Sequence, residues 1–238
     1  MSKQPPSKST GIFSDIRFFF LDKPEIATSI KFRAEEDRLL YTQSILQRTG
    51  IGVEDYKMLN IHRIGIEAPA TFVFEELLRW NGDSSCWPNH FAKVALQDGQ
   101  LEHIKVNLFG WPADPFAQKK GFARLHLFQL FSLKAIKIQY TPALFDFDNA
   151  RYLLYTCSGG YPIGVFSMYV RSAIPERGEQ EMSQLFIMVG FDFYGNKTFT
   201  KLNIINKAWE AVHNRVTDHI MNRFKQLCEW RFEKFTSE

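Results

Sequence analysis

Hydrophobic and polar residues along this chain change period several times, and each change marks an element. Met58 to Ile66 alternates, with Leu59, Ile61 and Arg63 against Asn60, His62, Ile64 and Ile66, which predicts a strand stopped by Ala68-Pro69-Ala70. From Thr71 to Trp80, Phe72, Leu77, Leu78 and Trp80 are arranged as on a helix, and Asn81-Gly82-Asp83 breaks it. A short helix or turn follows past Trp87-Pro88.

The next stretch is sheet-like: Leu101 to Phe109, Phe122 to Leu133, Ala135 to Tyr140, Arg151 to Cys157, Ile163 to Ala173 and Met182 to Tyr194. Gly110-Trp111-Pro112, Asp146 to Asn149, Ser158-Gly159-Gly160 and Pro175 to Gly178 separate these strands. In the last of them Leu185, Ile187, Val189, Phe191 and Phe193 share one apolar face, with Gln184, Gly190 and Asp192 opposite. Phe186 and Met188 also lie on that opposite side. An outer face carrying such residues needs cover, from the N-terminal helix or from a second subunit.

Thr198 to Phe235 is the longest predicted helix, with Leu202, Ile205, Trp209, Val212, Val216, Ile220, Phe224 and Leu227 recurring at spacings of three and four. One side is expected to lie along the sheet. At the other end of the chain, residues 1–11 are polar and rich in Ser, Pro and Lys, predicting a disordered tail, with order beginning near Ile12 and Phe13. Lys23 to Thr49 reads as helical, with Pro24 in its first turn and Ile30, Ala34, Leu39, Leu40, Ile45 and Leu46 as a loose stripe. The chain therefore divides into a tail and helical extension, 1–57, and a domain, 58–238.

Composition narrows the class. At 238 residues and 45% hydrophobic the chain suits a folded domain with a sizeable core. Its 23 phenylalanines add buried area without a polar handle, so a Phe-rich core or pocket is expected. A formal charge of +3 is too small to indicate nucleic acid as a partner. Cys86, Cys157 and Cys228 are far apart with no CxxC pair, which reads as free thiols in a reducing cytoplasm. The apolar patch Ile16 to Leu21 is interrupted by Arg17 and too short for a signal or a span, so a cytoplasmic protein is expected.

The order strand, two short helices, about six antiparallel strands and a long C-terminal helix is carried locally by Ile64 to Pro69, then Val73-Phe74-Glu75-Glu76-Leu77-Leu78, then Trp87-Pro88. It resembles the START-like, or SRPBCC, superfamily, which includes Bet v 1-type proteins and polyketide cyclases, over roughly residues 58 to 235. The first 57 residues depart from that pattern. The resemblance implies an α+β helix-grip fold, a curved antiparallel sheet wrapped around the C-terminal helix, with a cavity for lipids, sterols, polyketides or similar molecules. Independently, a sheet curled around one helix leaves an apolar face that a void or a guest completes.

Residues expected to line such a cavity are Tyr140, Tyr155, Tyr161, Phe166, Met168, Ile187, Val189, Phe191, Trp209, Val212 and Val216. Tyr140, Tyr155 and Asp192 would orient a ligand, or the tyrosines simply cap the core with their hydroxyls in water. Tyr161, beside Ser158-Gly159-Gly160, either gates an opening or belongs to a hairpin connection.

Catalytic signatures are missing: the chain has no GxSxG, HExxH, Walker loop or GxGxxG. His126 and His103 lie in predicted strands and are either acid–base groups or structural histidines. His213 and His219, six apart on a helix, do not share a face as metal ligands would, so neither metal nor cofactor is expected. Arg17-Phe18-Phe19-Phe20-Leu21 and the basic positions of the C-terminal helix allow transient membrane contact, although Glu210, Glu229 and Glu233 dilute that charge. Three functions follow: carriage of a hydrophobic small molecule, a cyclase or dehydratase using His126, Tyr155 or Asp192, and an interaction module that forms a homodimer.

Overall fold

The computed structural model describes residues 6–8, 10–46, 58–79, 85–88, 90, 92–97, 100–108, 129–139, 151–158, 163–191 and 203–238. Seven strands form one antiparallel sheet: β1 Met58–Ile66, β2 Ala92–Gln97, β3 Gln100–Leu108, β4 Gln129–Gln139, β5 Arg151–Ser158, β6 Ile163–Ser172 and β7 Ser183–Phe191. Their order is β1-β7-β6-β5-β4-β3-β2. The last six strands thus run as a meander, and β1 closes the far edge against β7. Register shifts interrupt the β2–β3, β3–β4, β4–β5 and β6–β7 ladders. Such bulges bend a strand and increase its twist, which curves a sheet around whatever lies on its inner face.

Among the described residues, four α-helices accompany the sheet: α1 Ile12–Ile16, continued by a π-helical turn Arg17–Leu21, α2 Glu35–Leu46, α3 Ala70–Arg79 and α4 Asn203–Ser237. Helix α3 starts where Pro69 offers its carbonyl to the amide of Val73 at 3.0 Å, a place where the missing proline N–H costs nothing. Its Val73, Phe74 and Leu77 are buried on one side. Among the described residues no helix is long and apolar enough to cross a membrane.

Three expectations need correction. Lys23 to Ala34 is not helical: an extended arm runs there, and the helix begins at Glu35, with residues 47–49 outside the described residues. The arm runs along the free edge of β1, where Ile30 N–H donates to Ile61 O at 2.9 Å and Arg63 N–H donates to Thr28 O at 2.8 Å. An edge strand with unpaired backbone groups recruits such a segment, and this gain outweighs a loose helical pattern. Next, the strands expected on either side of Lys134 are one strand, β4, because a bulge between Ala135 and Lys137 absorbs the phase slip that resembled a break. Finally, Ala92–Gln97, between the short helix or turn expected past Trp87-Pro88 and the first strand expected at Leu101, is the edge strand β2.

Two buried clusters hold these layers together. The inner one joins Ile64 and Ile66 of β1, Met168 and Val170 of β6, and Leu185, Ile187 and Val189 of β7 to α3 and to Met221, Phe224, Leu227 and Cys228 of α4. The outer one contains Ile61, Tyr169, Phe186 and Met188, with Ile30, Phe32, Leu39 and Tyr41 packed over them. Phe186 and Met188, whose place on the outer face demanded cover, are 2% and 0% exposed beneath the N-terminal extension. Beside them Arg171 forms a bidentate pair with Glu179, at 2.7 and 2.6 Å, and its guanidinium lies 5.4 Å from the Phe186 ring centroid. The Arg171 bonds hold the Glu179 carboxyl below its ordinary value despite burial.

Candidate functional site

The inner face of the sheet is built in rows, because residues opposite one another in an antiparallel ladder point to the same side. One row runs Phe166, Val189, Asn60 across β6, β7 and β1, and the next runs Met168, Ile187, His62. Both rows are apolar on β6 and β7. At β1 both rows end in a polar residue.

Those polar ends meet α4. The Nε2 of His62 lies 3.0 Å from Asn214 Oδ1, and Asn60 Nδ2 donates to the same oxygen at 2.9 Å. On the other ring nitrogen, His62 Nδ1 is 2.9 Å from Thr28 Oγ1 and 3.4 Å from Asp218 Oδ1. Thr28 donates its hydroxyl to Asp218 Oδ1 at 2.6 Å and its amide at 2.9 Å. With the threonine hydroxyl hydrogen committed to the carboxylate, Nδ1 donates to Oγ1, while Nε2 either donates to the Asn214 oxygen or, with both amides turned over, accepts from the Asn214 NH₂. His62 is fully buried beside the Asp218 carboxylate. Burial alone would raise the Asp218 carboxyl, but the hydrogen bonds from His62 and from the hydroxyl and amide of Thr28 outweigh it and hold the group below its ordinary value.

His213 lies one turn from Thr217 on α4, with its Nδ1 3.5 Å from Thr217 Oγ1 and its ring 6.4 Å from that of His62. Burial, with the charge on His62 adding to it, pushes its imidazole down to about 3. At neutral pH it is therefore an uncharged ring with one donor and one acceptor nitrogen.

A second set of bonds ties α4 to the arm. Asn222 accepts from Ile26 N–H at 3.1 Å and donates to Ile26 O at 2.8 Å, Arg215 donates to Leu21 O and Asp22 O at 2.6 Å each, and His219 Nε2 donates to Asp22 O at 2.9 Å. Arg223 stacks 3.7 Å from the Phe18 ring centroid. The arm and α4 are thus one surface.

These contacts fix which side of α4 faces inward. It runs through Asn214, Asp218, Met221, Lys225 and Cys228, and the apolar stripe that the spacing suggested joins it at Phe224 and Leu227. Val212 is 41% exposed. The helix is polar where it meets β1 and the arm, so the stripe marks its inner side at Phe224 and Leu227 but not there. Val216 is half-buried.

Met168, Ile187 and Val189 belong to the packed inner cluster, and Phe166 lies partly exposed at its margin. Tyr155, Phe191 and Trp209 are located by their strands and helix alone. His126, Tyr140, Tyr161 and Asp192 lie outside the described residues, and His103 is placed on β3. What residue spacing missed is the Thr28–His62–Asp218–Asn214 network. Its one visible trace was the intrusion of Asn60 and His62 into the otherwise apolar side of β1.

No family model matches the chain, and neither does any curated protein. Among solved structures, the Zhui aromatase/cyclase from Streptomyces sp. R1128 is similar at a TM-score of 0.44 and 16% identity, over 73% of this chain and 94% of that one. The di-domain aromatase/cyclase StfQ from the steffimycin biosynthetic pathway is similar at a TM-score of 0.44 and 8% identity, over 88% of this chain and 64% of that one.

Proposed function

We propose that this chain binds an apolar small molecule on the inner face of the sheet, beside α4. The observation that carries the reading is Phe166. It is a large aromatic left partly exposed at the margin of the inner cluster, in register with Tyr155 on the next strand. An apolar floor with a few convergent polar groups is the usual make-up of a small-molecule site. Here Val189, Met168 and Phe166 supply the floor, and Asn60 and His213 supply the polar end.

Binding fits these groups better than acid–base chemistry. A general base works best when its pKa lies near the working pH, and an imidazole held at about 3 is a hydrogen-bond partner rather than a base at neutral pH. His62 is committed on both nitrogens. The cyclase reading therefore rests on His126, Tyr155 and Asp192, and requires two of them to face one ligand.

Native mass spectrometry of protein purified without delipidation tests the proposal. It predicts a bound species of a few hundred daltons that organic extraction removes and an apolar dye replaces at one site. Protein that carries nothing and takes up no apolar probe contradicts it.

A further inference from the structure

A cleft of about 670 Å³ lies at the edge of the sheet, between the arm, β1 and α4, and meets the inner face only at Asn60. That volume is ample for a small molecule. Its inner wall holds the side chains of Asn60 and Asn214, and Phe32, Lys31, Arg33 and Glu210 surround them.

The network behind the wall dictates which amide edges the cleft receives. Asn214 Oδ1 is met by Asn60 Nδ2 and His62 Nε2. Turning both amides over would exchange the two leftover atoms but still leave one donor and one acceptor. Asn214 Nδ2 and Asn60 Oδ1 are left over, with no protein partner among the described residues, and neither is a buried atom sealed from solvent. A donor and an acceptor, held by the buried network of His62, Thr28 and Asp218, form the complement of an amide or lactam edge.

Charge adds the rest. Arg38 is tied to Glu35 within the same cleft, whereas Lys31 and Arg33 have no carboxylate partner among the described residues and share the lining with one further carboxylate, Glu210. The cleft thus keeps a surplus cation, suited to an acidic group on the ligand. We propose that this cleft is a second binding site, and that it takes a small acidic molecule bearing an amide- or lactam-type edge. The proposal is independent of the apolar site on the inner face.

The test is an NMR titration of the full chain, following the Asn214 side-chain NH₂ and the Phe32 amide, with uridine 5′-monophosphate, orotate and N-acetylglutamate as probes and inorganic phosphate as the comparison. Saturable shifts at both groups with at least one probe are expected, and with it binding at least tenfold tighter than phosphate. Asn214→Asp keeps an oxygen for Asn60 and His62 but removes the NH₂, and should weaken binding about tenfold or more, the loss of one hydrogen bond. The exposed double variant Lys31→Ala/Arg33→Ala should weaken it similarly without touching the fold. The proposal is overturned if no probe gives saturable shifts, if phosphate alone binds as tightly, or if either the folded Asn214→Asp chain or the double variant binds within twofold of the parent.

Discussion

Asp218 accepts two hydrogen bonds from Thr28 on a single carboxylate oxygen, the hydroxyl at 2.6 Å and the amide at 2.9 Å, across 190 residues of sequence. This contact fastens the N-terminal arm to α4 and, through His62, to β1. Removing one member of a buried pair leaves the other uncompensated, at a cost of about 3 kcal/mol. Asp218→Asn, nearly isosteric, is therefore expected to lower stability by about 3 kcal/mol in urea unfolding. Amide exchange at Thr28 and Ile30 should accelerate with it. Exchange unchanged at both amides would show that the arm is held elsewhere.

The acid limb of the stability profile follows from three groups with one sign. His213 is pushed down from 6.5 to about 3 in the fold, so its contribution is complete above 6.5 and is lost progressively as the pH falls toward 3. Glu179 and Asp218 are likewise held below their ordinary 4.5 and 3.8, so theirs is lost as the pH falls further. Unfolding free energy measured from pH 7 to 4 should decline from about pH 6.5 downward, and His213→Asn should flatten the upper part of that decline. A profile flat to pH 5 in the parent chain would contradict the assignment for His213.

Covering of the outer face predicts the consequence of uncovering it. A chain beginning at Val53 lacks Ile30, Phe32, Leu39 and Tyr41, and so leaves Phe186 and Met188 open and the β1 edge unpaired. Light scattering should show self-association, and an apolar dye should brighten relative to the full chain. A monodisperse monomer with no added dye binding would mean that the outer cluster does not depend on the extension.

Arg171 and Glu179, whose side chains are 7% and 10% exposed, make a desolvated pair beside that cluster. Glu179→Gln keeps the shape but strands the guanidinium, for a loss of about 3 kcal/mol by thermal or urea unfolding. Arg79 and Glu75, both open to solvent on α3, serve as the contrast, and Glu75→Gln should change stability by under about 0.5 kcal/mol.

Much of this arrangement was legible from residue pattern, and the exceptions have physical causes. The alternation from Met58 to Ile66 matches β1 end to end, because one face meets the core and a strand with a buried face has a fixed register. Phe186 and Met188 announced a covered outer face for the same reason. The arm was misread because Ile30 and Ala34 happen to sit at helical spacing, while the β1 edge that recruits the segment is apparent only once the sheet is assembled. On α4, Asn214, Asp218 and Asn222 repeat every four residues and mark the side that meets β1 and the arm, a polar side that hydrophobicity does not reveal. Of the site, the apolar floor of Met168, Ile187 and Val189 could be read from alternation. The polar end could not, since Thr28, His62 and Asp218 converge from three distant segments.

Methyl-resolved NMR during titration with the apolar probe 1-N-phenylnaphthylamine tests the central reading most directly. Binding on the inner face predicts saturable shifts at the methyls of Met168 and Val189 and the ring of Phe166, with Leu40 on the exposed side of α2 unmoved. Shifts confined to Leu40 and other exposed methyls, with the inner face silent, would contradict it.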